Sequence, residues 1–332
     1  AKAARSIERV FRYMAGRAGP SVVSLEVQRK QPLDVKASGM RGGLGDLARY
    51  LGPASGVLLD SEGWIVTSLY NLTNTLELIA PGAKLPPPSK LEAGLQAVEK
   101  VTVHLPEGAQ AEAKLVAHHG RLGIALLKAE MPAAEGTAAP RRGLTAAPAD
   151  AFEVGRFVLA LGNPFGAKGN ADPLLTMGVL AKRHAADAPH AWRGQWQTDA
   201  GVTDGNCGGA DVDLEGRQLG VLQIWNPTGH GRNSGIGFVV PWPEIERALP
   251  DLKEGRSPQR GFLGVRWRQG ATIPALAEVG PATPAAAAGL QAGDRIVAVD
   301  GRDTDTVRAV QGALTYRWAG ETLTMTIERD GK

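Results

Sequence analysis

Gln197-Thr198-Asp199-Ala200, followed by Gly205-Asn206-Cys207-Gly208-Gly209, is the stretch whose reading decides the fold of this chain. It sets the one cysteine of 332 residues into a tight glycine-rich turn. A free cysteine packs like a small hydrophobe, so Cys207 reads as a buried or half-buried side chain beneath that turn. Around it, short apolar runs alternate with Gly and Pro punctuation, the signature of antiparallel barrels. Upstream, Ser21–Val27, Gly56–Leu59, Trp64–Thr67, Val101–Leu105, Ala113–Ala117 and Ile124–Lys128 read as strands, enough for one six-stranded barrel. Downstream, Phe157–Gly162, Leu175–Leu180, Gln218–Ile224 and Gly235–Pro241 start a second, closed by a helix over Pro243–Leu249.

The quoted stretch resembles the QTDA…GNSGG segment around the nucleophile of the HtrA/Deg family of trypsin-like serine proteases. Gly56–Tyr70 is similar to that family's GVIID-x-x-GYIVTNNH, and Gly123–Lys128 to DLAVLK. Phe157–Gly166 is close to VLAIGNPFG, and Gly235–Pro241 to GIGFAIP. The resemblance implies a mostly β protein: a chymotrypsin-like pair of six-stranded antiparallel β-barrels, about 17–130 and 150–240, within a protease domain over 17–250. A helical lead-in over 1–16 precedes it.

At the three catalytic positions the chain departs from the family. The nucleophile is Cys207, the general base is Tyr70 and the acid that orients the base is Gly123. In a Ser-His-Asp triad the His moves the nucleophile's proton and the Asp fixes its tautomer. A phenol of pKa ~10 stays protonated at neutral pH and replaces no base. Gly123 has nothing with which to orient one. A free thiol is only a few per cent thiolate near pH 7 without a neighbouring cation to lower its pKa. Losing nucleophile or base alone costs roughly 10⁶ in turnover.

The reading is therefore a pseudoprotease, a peptide-binding or chaperone-like scaffold with Tyr70 filling space between barrels. The alternative is a residual endopeptidase with Cys207 as nucleophile and a His outside the family pattern, from His104, His118, His119, His184, His190 or His230. His118 and His119 are nearest to Gly123 in sequence but too far displaced for a hydrogen bond of about 3 Å. The backbone of Gly205, Asn206 and Cys207 is expected to keep the oxyanion-hole donors. Asp204, Ala210 and Asp211 stand where the family has Pro, Pro and Leu. A charge at Asp211 must be solvated or paired.

After a linker over 251–260, Gly261-Phe262-Leu263-Gly264-Val265 looks like the carboxylate-binding loop of an HtrA-type PDZ domain, an α/β module here spanning 261–332. Thr283–Gly301 resembles its SPAxxAGLxxGDxIxxVDG segment. A peptide C-terminus then adds as a strand, its carboxylate on backbone N–H groups of the loop. A helix over Thr306–Leu314 forms the other wall, with Val307, Val310 and Leu314 as pocket residues. Peptides or protein C-termini are the implied partners, alongside a homo-oligomer, commonly a trimer in the family, and a periplasmic or otherwise extracytoplasmic setting.

Composition fits this reading and excludes others. The 43 Gly and 22 Pro make about a fifth of the chain, above the usual ~12%. A net charge of +3 without basic clustering gives no support to nucleic-acid binding. One Cys and scattered His show no metal-ligand spacing, and no cofactor is implied. No apolar run approaches the ~18–20 residues of a spanning helix. Ala1–Arg5 leads into no apolar signal core, and a partner for the strand over 321–329 is not seen, so the chain reads as a piece of a longer one. Residues 28–53 read as a loop, and Ile79–Glu99, with Pro86-Pro87-Pro88, as a solvated excursion.

Overall fold

The computed structural model describes residues 2–30, 54–73, 88–132, 142–166, 172–183, 195–224, 235–258, 261–268, 272–314 and 317–331. Most of the 28–53 loop, the first part of the 79–99 insertion, and His184, His190 and His230 lie outside them. The chain divides into two units, with the break in the described chain between Ser257 and Pro258.

The first unit begins with helix α1, Lys2–Ala18, which buries Met14 and Ala18. It runs two residues past the expected stop at Gly16, and the 3₁₀ turn Gly19–Ser21 with its Pro20 ends it. Strands β1 (Val22–Arg29), β2 (Ala54–Leu58) and β3 (Trp64–Ser68) follow. Then come helices α2 (Leu69–Thr73) and α3 (Pro88–Gln96) and strands β4 (Val98–His104), β5 (Gln110–His119) and β6 (Ile124–Ala129). The six strands close a barrel in the order β1-β2-β3-β6-β5-β4 around Val23, Leu25, Leu58, Ile65, Val103 and Leu127.

Part of the expected excursion is instead built into this barrel. Residues 88–99 form α3 and the start of β4, and Leu91 on α3 is buried in the barrel's core. Pro88 is the first residue of this helix, because Pro is tolerated in a first turn, where its missing N–H has no partner to lose.

The second barrel takes β7 (Phe157–Gly162), β8 (Leu174–Arg183), β9 (Trp196–Thr198), β10 (Ala210–Val212), β11 (Gln218–Ile224) and β12 (Gly237–Pro241). These close in the order β10-β11-β12-β9-β8-β7. Every residue of β11 and β12 is buried. Helix α4 (Trp242–Lys253) follows directly and occupies residues 251–253 of the expected linker. Its apolar face of Trp242, Ile245, Ala248 and Leu252 is buried at the helical spacing of three and four residues.

The second unit holds a two-stranded sheet of β13 (Val265–Trp267) and β14 (Leu276–Val279) and a three-stranded sheet ordered β16-β15-β17. The latter strands are Arg295–Val299 (β15), Arg302–Asp303 (β16) and Met325–Glu328 (β17). Helices α5 (Pro284–Ala287) and α6 (Val307–Ala313) are each opened by a threonine cap, Thr283 and Thr306, whose hydroxyls accept from Ala286 and Ala309. Leu276, Ile296, Val299 and Val310 form the core, with Val265 and Trp267 packed against it. Asp294, buried on β15's entry, accepts two guanidinium bonds from Arg329, at 2.6 and 2.8 Å, and a third goes to the Gly289 carbonyl at 2.9 Å.

Candidate functional site: a sealed catalytic centre and an open loop

Register brings Tyr70, Gly123 and Cys207, the positions that the resemblance aligns with the triad, into one place. Ser68 pairs with Ile124 across β3–β6, which sets the turn at Gly123 against the start of α2. There Leu69 donates its N–H to the Gly123 carbonyl at 2.7 Å. Tyr70, on α2, is buried and shares one packed cluster with Cys207, Leu222 and Val239 of the second barrel.

One side chain ties the three together. Gln223, on β11, donates from Nε2 to the Gly123 carbonyl at 2.9 Å. Its Oε1 accepts from Ser68 Oγ at 2.7 Å, and the Cys207 thiol points at the same oxygen from 3.8 Å. Ser68 Oγ in turn accepts from the N–H of Tyr70 at 3.3 Å. The sequence reading missed Gln223, although a signal was there: a glutamine inside an otherwise apolar strand, Leu219–Ile224.

The turn around Cys207 is bolted to the first barrel. Asn71 Nδ2 donates to the Cys207 carbonyl at 2.8 Å and to Thr67 Oγ1 at 3.0 Å. Ser55 Oγ donates to the Gly205 carbonyl at 2.6 Å and accepts from the N–H of Asn163 at 2.8 Å. Gly208 has φ +86°, where a Cβ would stand 2.4 Å from both the Ser55 carbonyl and Thr67 Oγ1. That position admits glycine alone.

Asp204–Asn206 forms a 3₁₀ turn. The Asn206 N–H donates to the Thr203 carbonyl at 3.0 Å, and the Cys207 N–H to the same carbonyl at 3.2 Å. The Asn206 side chain is buried as well and donates to the Gly201 carbonyl at 3.3 Å. The backbone expected to serve as oxyanion donors is thus partly satisfied within its own turn. A donor already bonded at home is not aimed at a substrate oxygen.

Cys207 is fully buried, and burial pushes its thiol up to about 12, against a smaller opposing pull from the Ser68 hydroxyl. No imidazole stands among the largest influences on it. His119 is buried and held neutral, its pKa lowered to about 4 first by desolvation and then by Arg121. Its Nδ1 accepts from the Leu122 N–H at 3.3 Å. His118 faces Glu92 at 3.5 Å, and His104 faces Glu26 at 3.2 Å. Among the described residues no group of three His, Cys, Asp or Glu is placed to hold a metal.

Asp211 is fully buried, with both carboxylate oxygens unpartnered. It pairs with Ala160 of β7, whose side chain belongs to the second barrel's core, and cross-strand partners face the same side. Desolvation, then the neighbouring Asp213, holds its pKa well above the usual carboxylate range. The carboxyl is neither exposed nor paired, and burial favours its neutral form.

The loop 261–265 is more open. Phe262 is 71% exposed, and Gly261, Leu263, Gly264 and Val265 are half-buried. The Leu263 and Gly264 carbonyls are held by the N–H groups of Ala285 and Gly280, both at 2.9 Å. Among the described residues the N–H groups of Phe262, Leu263 and Gly264 donate to no one. Gly264 lies at φ +86°, where a Cβ would come within 2.2 Å of Thr283. Val307 on α6 and Leu314 just past its end are half-buried, whereas Val310 lies wholly within the core. Val310 packs there with Leu276, Ile296 and Val299.

Residues 54–221 match the trypsin-like peptidase domain family, half of the chain, and residues 261–332 match the PDZ domain. The chain is 28% identical, over 94% of its length, to a probable periplasmic serine protease do/HhoA-like from Haemophilus influenzae. It is 28% identical over 92% to the periplasmic serine endoprotease DegP of Escherichia coli.

The chain belongs to the HtrA/Deg family.

It spans 67% and 60% of the length of those two relatives. Solved structures agree on the fold. The HtrA-type protease AlgW with tripeptide superposes with a TM-score of 0.66 at 22% identity, covering 96% of this chain and 92% of that one. The serine endoprotease from Yersinia pestis superposes at 0.58 and 24% identity, covering 96% and 93%. The twin barrels and the module after them are those of the HtrA family. No helix among the described residues is long and apolar enough to cross a membrane.

Proposed function

We propose that this HtrA/Deg member is catalytically inactive and serves as a periplasmic peptide- or protein-binding scaffold, holding free C-termini at the loop 261–265. One observation carries the first half. The only residue at the nucleophile position is a fully buried thiol pushed up to about 12, with a neutral glutamine where an imidazole is needed. Such a group is neither deprotonated nor reachable at neutral pH. The residual cysteine-peptidase reading finds no support in His118 or His119, which are engaged elsewhere.

Three unengaged N–H groups at Phe262, Leu263 and Gly264, on a loop whose carbonyls are tied back, favour the second half. They suit a carboxylate, and β13 beside them is an edge on which a peptide strand can add. Half-buried Leu263, Val307 and Leu314 favour an apolar last residue. A few residues of peptide bury little area, so an affinity of about micromolar, or ~8 kcal/mol, is expected. Exposed Phe157 and Met177 on the outer side of β7–β8, at 52% and 43%, favour a homo-oligomer, for which the family's trimer is our expectation.

The test is casein and labelled-peptide cleavage by the unaltered chain. We expect none above the no-enzyme control. Turnover that disappears on Cys207→Ala would establish the cysteine-peptidase reading instead.

A further inference from the structure

The former catalytic centre is not a vacated site. Gly123, where the resemblance puts the orienting acid, has φ +68°, the left-handed region that glycine favours. Its carbonyl is taken twice, by the Leu69 N–H at 2.7 Å and by Gln223 Nε2 at 2.9 Å. A Cβ built on Gly123 meets a single neighbour, the same Gln223 Nε2, at 3.7 Å. That is an ordinary contact distance, and a carboxyl group extending beyond the Cβ comes close to the same carboxamide. On its other end, Gln223 occupies the Ser68 hydroxyl and caps the thiol.

We propose that Gln223 is a plug: its carboxamide has taken the space of the orienting acid and holds the centre closed. This rests on the inactive reading above and deepens it. The physical reason is the cost of burial. A neutral amide satisfies the Gly123 carbonyl and the Ser68 hydroxyl at once without bringing a charge in beside buried Ser68 and Cys207. The amide bridges β3, the β5–β6 turn, β11 and the Cys207 turn, so the dead site works as a cross-barrel brace. Restoring the three triad residues therefore leaves the centre blocked.

The experiment compares the unaltered chain, the triple variant Tyr70→His, Gly123→Asp, Cys207→Ser, and that triple variant with Gln223→Ala added. The readout is labelling of the restored hydroxyl by a fluorophosphonate, counted by mass spectrometry, with casein cleavage alongside. We expect the triple variant to stay unlabelled and the fourth change to raise labelling at least about tenfold, a barrier change of ~1.4 kcal/mol or more. Equal labelling of the two variants overturns the plug, whether both react or both, still folded by circular dichroism, remain inert. A second arm needs no restored triad: Gln223→Ala alone is expected to speed iodoacetamide capture of Cys207 in the native protein. An unchanged rate there also overturns the proposal. Casein cleavage by the unaltered chain is scored separately, because it defeats the inactive reading rather than the role of Gln223.

Discussion

The Cys207 turn and the 261–265 loop are both built on a glycine at φ +86°, yet one is closed and the other open. In the first, side chains from the opposite barrel, Ser55 and Asn71, take the carbonyls of Gly205 and Cys207, and the Cys207 N–H is spent within its own turn. In the second, the Leu263 and Gly264 carbonyls and the Gly261 N–H are bonded, while the N–H groups of Phe262, Leu263 and Gly264 donate to no one among the described residues. Proteolysis needs particular side chains, and a few substitutions suffice to end it. Carboxylate capture needs only backbone geometry, which a single glycine and two carbonyl bonds preserve. The proposed function rests on that contrast, since a backbone loop for binding can outlast the side-chain chemistry of a protease.

The largest expected effect breaks the closed turn. Gly208→Ala forces a left-handed residue and drives a methyl into the Ser55 carbonyl, so a loss of about 3–5 kcal/mol is expected in chemical denaturation. A nearly neutral result would mean that the turn is not the rigid element described above.

Next comes the buried acid. Because the folded pKa of Asp211 is raised, its stability contribution is full below the unfolded value near 4 and is lost as pH rises toward the folded value. Asp211→Asn removes that loss. The variant is expected to be more stable than the parent at pH 7 by on the order of 1–3 kcal/mol, the advantage shrinking to nothing or reversing at pH 4. Melting temperatures that stay parallel between pH 4 and 8 would contradict a protonated Asp211.

The open loop is probed by Gly264→Ala, whose methyl collides with Thr283. Peptide binding is expected to weaken at least about tenfold, ~1.4 kcal/mol, while the barrel unit melts as before. The smallest effect belongs to Cys207→Ser. Exchanging a buried, weakly bonded thiol for a hydroxyl is expected to cost about 1 kcal/mol and to give no hydrolysis, measured by denaturation and by peptide cleavage.

Much of this architecture was legible in the sequence. The strands around Trp64–Thr67 and Ile124–Lys128 are apolar runs between turn residues, and both ends fall within a residue or so of β3 and β6. The three-residue strands β9 and β10 went unread, because three residues display no period. Residues 88–99 were misjudged since prolines signal a break locally, while the burial of Leu91 depends on a barrel surface the local pattern does not contain. The convergence of Tyr70, Gly123 and Cys207 followed from motif resemblance. Gln223 did not: its partners lie 100 and 155 residues away, and no local pattern announces a hydrogen bond at that range.

What the 261–265 loop holds decides most directly between a binding protein and a peptidase. The measurement is an anisotropy titration of the unaltered chain with two labelled peptides of one sequence and an apolar last residue, one ending in a free acid and the other amidated. The account predicts saturable binding of the free acid at about micromolar concentration, at least about tenfold weaker binding of the amide, and both peptides recovered intact. Equal binding of the two forms, or a shortened peptide after the titration, would contradict it.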